Sequence, residues 1–428
     1  MLQQLLQIVF AFPPGYVTVS HPPAGGNLIE LSALVFWLLC VLALAQAGVA
    51  VPLFRALGRT PASRSGFTPK AAVILCLRGH DPYLRQTLES VLGMDYPDFE
   101  FHVVVDSEDD SAWPAIRRAQ ELDGSGIMRV QVLSQRHGSC GLKCSSLLQA
   151  LSGLSSDIEV SAHLDADSVP HARWLRELVQ PLSDPRVGAA YGNRWFEPVM
   201  PNLGSMVRCL WNACAVPSMN FHRIPWGGSL ALRTSHFRES EELSEHWSRA
   251  FCEDTLLADF FARRGLEVRF VPLVLMVNRE RCSVMGFARW VRRQLLTVRL
   301  YHRAWPIVLV HAVLTTVSLL AGFALRVHAG LAVYAGVMLV LGLVLDRAVQ
   351  GTLVRQGEVP YRWTVQRALL ALLSIPVTQL IYCWAAVSAH FLKRELWRGV
   401  TYRIGGSWDI EIVEDCPQNS DPDEGVSL

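Results

Sequence analysis

Residues 31–54 (LSALVFWLLCVLALAQAGVAVPLF) contain no charged side chain. At about 1.5 Å per residue such a run makes a helix long enough to cross a hydrocarbon core of about 30 Å. No Lys or Arg precedes it, so it lacks the charged leader of a signal peptide. Basic residues follow at once: Arg55, Arg59, Arg64 and Lys70. Because basic flanks stay in the cytosol, the pattern predicts a short extracytosolic N-terminus over 1–30, a transmembrane helix over 31–54 and a cytosolic chain beyond it. Three more apolar segments, 306–325, 329–345 and 368–392, lie toward the other end. They predict about three membrane helices over 306–392, the last kinked at Pro376. Three crossings would carry the tail, 393–428, outside. Lys393, Arg394, Arg398 and Arg403 instead ask for the cytosol, so either one apolar segment is re-entrant or the tail breaks the rule. Residues 405–428 hold seven acidic and no basic side chains and predict a flexible end.

Composition narrows the class. Hydrophobic residues are 51% and charged residues 18%, the latter below the roughly 25% of a soluble domain. A disordered, collagen-like or fully soluble chain is excluded. Basic and acidic residues, 39 against 38, nearly cancel, which argues against a nucleic-acid partner. The ten cysteines include no CxxC pair and read as reduced thiols in a cytosol-facing protein.

Between the apolar ends, residues 70–285 read as a mixed α/β domain. AAVILCL at 71–77 is a continuous apolar run, suited to a strand buried on both faces. FHVVV at 101–105, another buried strand, MRVQVL at 128–133 and EVSAHL at 159–164 read as three more strands. Helical spacing separates them over 82–93, 114–122 and 142–151. Strand–helix alternation predicts a doubly wound, mainly parallel sheet, in which ligands meet the carboxyl ends of strands. Arg78–Asp81, Asp106 and the Asp165-Ala166-Asp167 triplet all fall at such ends. Residues two apart in an extended segment face the same way, so Asp165 and Asp167 can share one hard divalent cation with phosphate oxygens. Two solvated aspartates in a turn are the plainer alternative, and the buried strand in front of the pair favours the site. Asp254 in AFCEDTLLADFF can cap the helix that follows or serve as a general base. The basic, aromatic stretch over 286–305 predicts an interfacial amphipathic helix. His137 and His163 read as packed or loop histidines. Cys140 and Cys144 lie one helical turn apart without a partner pair for zinc.

Asp106, Asp165-Ala166-Asp167, Glu253-Asp254 and Arg289-Trp290 occur in one order before the membrane segments. With LRGHDPYLRQTLESVL (77–92), YGNRWFEP (191–198), GGSLALRTSHF (227–237) and WRGVTYR (397–403), this set resembles the membrane-bound glycosyltransferases of family 2. It looks most like the ceramide glucosyltransferase group and its bacterial lipid-glycosylating relatives. The resemblance implies a GT-A catalytic domain and an inverting transfer of a hexose from a UDP-sugar to a membrane lipid, ceramide-like or diacylglycerol-like, at the cytosolic face. It assigns Asp106 to the uridine, Lys143 and Asp165 to the nucleotide sugar, Asp167 to Mg²⁺ or Mn²⁺, and Asp254 to the general base. Arg289 and Trp290 match the end of the family's (Q/R)xxRW motif, which closes over the diphosphate. Gly286 stands where that motif has Gln or Arg, so Arg292, Arg293 or Gln294 would have to supply the contact. A processive polysaccharide synthase and a non-catalytic membrane scaffold are the competing readings. Four spans leave little material for a polymer channel, and a scaffold has no reason to keep four carboxylates. The absence of any N-x-S/T site points to a bacterial inner membrane.

Overall fold

The computed structural model describes residues 24–58 and 66–416. Most of the expected N-terminal segment, Arg59, Arg64 and the last part of the tail lie outside the described residues. The first helix, α1 (Ala24–Gly58), overruns the charge-free run at both ends. The central domain follows in alternation: β1 (Ala71–Leu77), α2 (Leu84–Leu92), β2 (Phe99–Val105), α3 (Trp113–Leu122), β3 (Met128–Val132), α4 (Leu142–Ser152) and β4 (Val160–Leu164). Then come α5 (Trp174–Val179), β5 (Val187–Tyr191), β6 (Arg194–Phe196), α6 (Leu203–His222) and β7 (Ser229–Arg233). Three short helices, α7 (Ser235–Arg238), α8 (Glu241–Trp247) and α9 (Leu257–Arg263), lead to β8 (Glu267–Phe270) and β9 (Met276–Asn278).

Seven strands form one sheet in the order β3-β2-β1-β4-β7-β5-β8. Pairing is parallel from β3 through β4 and antiparallel on both sides of β7. The apolar runs are continuous because both faces are covered. Val73, Leu75 and Leu77 of β1 join one buried cluster with Leu88 and Phe101, while Ala72 and Ile74 join the opposite one with Leu147 and Trp247. Burying each such large side chain contributes roughly 1.5–3 kcal/mol. This doubly wound, mainly parallel sheet is the expected fold class, and it sets the ends of β1, β2 and β4 side by side.

Helix α10 (Val284–Tyr301) leaves the domain, followed by α11 (Trp305–Ala324), α12 (His328–Gln356) and α13 (Val365–Phe391). Four helices among the described residues, α1, α11, α12 and α13, are long and apolar enough to cross a membrane. Helix α10 falls within the stretch expected to be an amphipathic helix. Its basic side chains mostly turn onto protein: Arg292 pairs with the buried Glu395 at 2.7 Å, Arg293 lies over the Trp397 ring at 5.1 Å, and Arg299 donates to Ala389 O at 2.6 Å. Only Arg303, beyond its end, is largely exposed, at 83%.

Both ends of α13 bond to neighbouring elements, its start to the segment after β6 and its end to α10 and α11. At its start Tyr361 Oη donates to Pro198 O at 3.1 Å and Arg367 donates to Val199 O at 2.7 Å. At its end Arg299 also reaches Leu392 O at 2.9 Å, and Trp305 Nε1 donates to His390 Nδ1 at 3.3 Å. Between these points the helix packs along α6 and α10.

The tail corrects the sequence expectation. Residues 394–415 form an antiparallel sheet of β10 (Arg394–Trp397), β11 (Val400–Gly406) and β12 (Asp409–Asp415), so the expected flexible end is ordered over 405–415, and its remainder from 417 lies outside the described residues. Val400, Tyr402 and Ile404 alternate inward onto the cluster that holds Leu147, Phe251 and Leu296. Glu411 of β12 stands on the opposite face, where it pairs with Arg403 at 2.6 Å. Acid content read without its period of two hid the strands.

Candidate active site

The ends of β1, β2 and β4 open onto a cavity of about 480 Å³. Asp106, Lys143, Asp165, Asp167, Asp254 and Trp290 all line it. The far part of the same cavity is walled by α1, α6, α11, α12 and α13, through residues such as Val49, Ala215, Ile307, Met338 and Tyr382.

Asp106 closes β2. Its Oδ2 receives Arg78 Nη1 at 2.6 Å and Arg136 Nη2 at 2.9 Å. Its buried Oδ1 has no hydrogen-bond partner among the described residues. Burial raises the Asp106 carboxyl against the pull of both arginines. Arg78 and Arg136 also grip Asp415 of β12, so the tail sheet is tied to the same cluster.

Lys143, at the start of α4, sits between two carboxylates, 2.6 Å from Asp165 Oδ1 and 2.6 Å from Glu253 Oε1. Burial works on the two unequally. For Glu253 it dominates and pushes the carboxyl up to about 7 against Lys143. For Asp165 burial also pushes upward, but Lys143 and Arg194 outweigh it and hold the group below the usual carboxylate range. Asp167 is raised by burial against Arg194.

The two aspartates of the triplet share one guanidinium. Arg194 Nη1 is 2.6 Å from Asp167 Oδ2, and Nη2 is 3.4 Å from Asp165 Oδ2. Its Cζ lies 4.6 Å from the Trp226 ring centroid and 5.8 Å from that of Trp290. Both carboxylates thus turn an oxygen toward one positive charge, which is the arrangement a shared divalent cation needs. Among the described residues no cluster of three or more His, Cys, Asp or Glu side chains could hold a metal.

Asp254 faces the cavity with its carboxylate held on both sides. Oδ2 accepts Gly227 N at 2.8 Å, and Oδ1 accepts Thr255 N at 2.6 Å and Thr255 Oγ1 at 3.0 Å. Gly227 and Gly228 make this approach possible. A Cβ on Gly227 would overlap the Glu253 carboxylate, and one on Gly228 would overlap Trp226 and Asp165.

The (Q/R)xxRW segment is only partly at the wall. Trp290 lines the cavity; Arg289 does not, and Arg293 and Gln294 on the next turn do. Of the candidates for the contact absent at Gly286, Arg292 is committed to Glu395.

Arg194 and Arg398 are the cations that sequence reasoning left without a role, although YGNRWFEP and WRGVTYR contain them. Arg398 sits between β10 and β11, at φ 49°, followed by Gly399 at φ 76°. Its Nη2 reaches the buried Asp81 at 2.6 Å and its Nη1 donates to Arg78 O at 2.5 Å. A non-glycine residue held at positive φ in a tight hairpin is costly and points to a function for its side chain. A two-residue break between alternating runs, followed by Gly399, was the available signal.

Comparison with known protein families matches residues 35–409 to glycosyl transferase family 21. No curated protein matches. Among solved structures, a mannosyltransferase from Pyrobaculum calidifontis in complex with GDP-Man and Mn²⁺ is 18% identical. It covers 83% of this chain and 99% of its own, with a TM-score of 0.47. A glucosyl-3-phosphoglycerate synthase from Mycobacterium tuberculosis, in complex with Mn²⁺, UDP and glucosyl-3-phosphoglycerate, is 17% identical. It covers 55% of this chain and 85% of its own, with a TM-score of 0.37.

Proposed function

The chain belongs to glycosyl transferase family 21, and on that premise we propose that it moves a hexose from a UDP-sugar to the hydroxyl of a membrane lipid, ceramide-like or diacylglycerol-like, with inversion. One observation carries the lipid acceptor: a single cavity joins the carboxylate cluster to the apolar walls of the long helices. A headgroup can reach the acids while its tails stay among α1, α11, α12 and α13. Both ends of α13 touch the catalytic side, which supports a re-entrant α13 and a tail on the cytosolic face with the catalytic domain. The membrane would then be spanned by α1, α11 and α12.

The donor would lie with its uracil N–H on the unpartnered Oδ1 of Asp106. Lys143 and Asp165 would hold the nucleotide sugar. Asp165 and Asp167 fit Mg²⁺ or Mn²⁺, because their Oδ2 atoms already converge on one positive charge. When bound, that ion would neutralise charge on the departing diphosphate. Arg293 and Arg398 would add cationic character to the same end of the cavity. Asp254, fixed by Gly227 and Thr255, takes the proton of the acceptor hydroxyl. The hydroxyl oxygen bonds to the anomeric carbon, and the carbon–oxygen bond to the diphosphate breaks on the opposite side. UDP leaves with the electron pair.

The test uses purified protein in detergent with Mn²⁺. Radiolabelled UDP-glucose, UDP-N-acetylglucosamine and UDP-galactose are each offered with ceramide and with diacylglycerol. Label is expected in a chloroform-soluble product and lost in Asp254→Asn. Label in a long water-soluble polymer would replace this proposal with a processive synthase. No transfer from any donor would refute it.

A further inference from the structure

Arg194 occupies the position a divalent ion would need. Its guanidinium spans Asp167 Oδ2 at 2.6 Å and Asp165 Oδ2 at 3.4 Å. The remaining oxygens are also engaged: Asp165 Oδ1 with Lys143 at 2.6 Å, and Asp167 Oδ1 with Ser168 Oγ at 3.1 Å. Each of the two carboxylates is therefore already engaged by a cation. The guanidinium is not loosely placed. It stacks on Trp226, its side chain is only 12% exposed, and Asn193 and Asn212 bond its backbone.

Adding a divalent ion to this arrangement adds two uncompensated positive charges in a buried place. It also asks two oxygens to serve both a guanidinium and a metal. The described residues contain no further acidic, imidazole or thiolate cluster to strengthen the ion's hold. A nucleoside diphosphate changes both conditions. It brings negative charge that can keep two cations together, and it brings oxygens that complete a coordination shell.

We propose that Arg194 is a positioning residue that competes with the divalent ion for Asp165 and Asp167, so that the ion binds tightly only together with a nucleoside diphosphate. This inference rests on the proposed metal site. It makes Arg194 the reason the site without nucleotide is closed to free metal, and it orders binding: donor and ion enter together or donor first. The displaced guanidinium leaves the Trp226 face, so tryptophan emission reports the exchange.

The test measures binding of Mn²⁺ alone to the full chain in detergent, from the loss of the free-ion paramagnetic resonance signal. Wild type, Arg194→Gln, Arg194→Lys and Asp167→Asn are compared, each with and without UDP. Arg194→Gln is expected to bind free Mn²⁺ at least tenfold more tightly than wild type. Arg194→Lys, which keeps the charge, is expected to stay near wild type. UDP is expected to tighten Mn²⁺ binding more in wild type than in Arg194→Gln. A merely structural lesion would weaken binding, so the direction of the change is diagnostic. Equal or weaker free-metal affinity in Arg194→Gln, with UDP-dependent binding intact in wild type, would overturn the competition and leave the metal site standing. No Mn²⁺ binding in wild type even with UDP, or undiminished binding in Asp167→Asn, would overturn the metal site and the inference with it.

Discussion

Lys143→Met removes a charge and keeps most of the side chain's volume, so its consequences can be worked from the two carboxylates it leaves behind. Lys143 Nζ lies 2.6 Å from both Asp165 and Glu253. Breaking a buried ion pair by deleting one partner costs about 3–5 kcal/mol when the other partner stays charged. Glu253 has an escape, because its carboxyl is already raised to about 7 by burial against the pull of Lys143. Without Lys143 its value rises further, and Asp165 keeps Arg194 at 3.4 Å. At pH 6 the variant therefore carries a neutral Glu253 and a modest defect. A carboxyl whose folded value is raised gives stability that is full below its unfolded value and lost as pH rises through the folded one. Each pH unit in which the folded variant still holds the proton and the unfolded chain does not is worth about 1.4 kcal/mol. Wild-type Glu253 already releases its proton near pH 7, so the extra loss in Lys143→Met between pH 6 and 8.5 is at most about 2 kcal/mol. Detergent melting curves at several pH values would show it as a gap from wild type that widens with pH. Lys143→Met/Glu253→Gln replaces the pair by neutral groups and is expected to close most of the gap at pH 8.5. A gap that does not change with pH, or a double variant no better than the single one, would refute the account of how these charges are held.

Three further outcomes are expected. Arg398→Gly removes a guanidinium from the donor end but suits the positive φ at that position. Because it leaves the buried Asp81 without its partner, it should lower the melting temperature by the equivalent of about 3–5 kcal/mol, and the folded protein should bind UDP about tenfold or more weakly, as expected for loss of a charge-assisted hydrogen bond, measured by titration calorimetry. Asp106→Asn should weaken binding of uridine and UDP alike while leaving Mn²⁺ binding unchanged without nucleotide; calorimetry with both ligands checks this. Gly227→Ala forces a methyl group into the Glu253 carboxylate and should destabilise by roughly 1–3 kcal/mol, seen as a lowered melting temperature in detergent.

The legible parts of this protein were those written in short stretches of chain. AAVILCL announced a strand buried on both faces because no polar residue interrupts it, FHVVV a second because only His102 does, and β1 and β2 are buried that way. Asp106, Asp165 and Asp167 stood out because strand ends in a doubly wound sheet collect ligand-binding groups. What escaped notice depends on pairs far apart in the chain. Nothing near Arg194 says that it reaches back to Asp165 and Asp167, and nothing near Arg398 says that it meets Asp81. The acid-rich stretch after 405 hid the last strand because its apolar residues, such as Ile410, alternate with acids. The basic run after Ser283 looked like a lipid-facing stripe because sequence cannot show Glu395 and Trp397 packing against it.

The hairpin carrying Arg398 has a bearing on how the enzyme comes into being. The floor of the donor pocket is made before the long helices α11, α12 and α13 leave the ribosome, whereas Arg398, Trp397 and Tyr402 of its wall are made after them. A nascent chain that has not yet delivered those helices holds an open, incomplete pocket. On the proposed function, completion of the pocket follows synthesis of the long helices, so sugar transfer would begin only after they are made. A chain ending at residue 392 should integrate into membranes and yet bind UDP weakly, which ligand titration of the truncated protein would reveal.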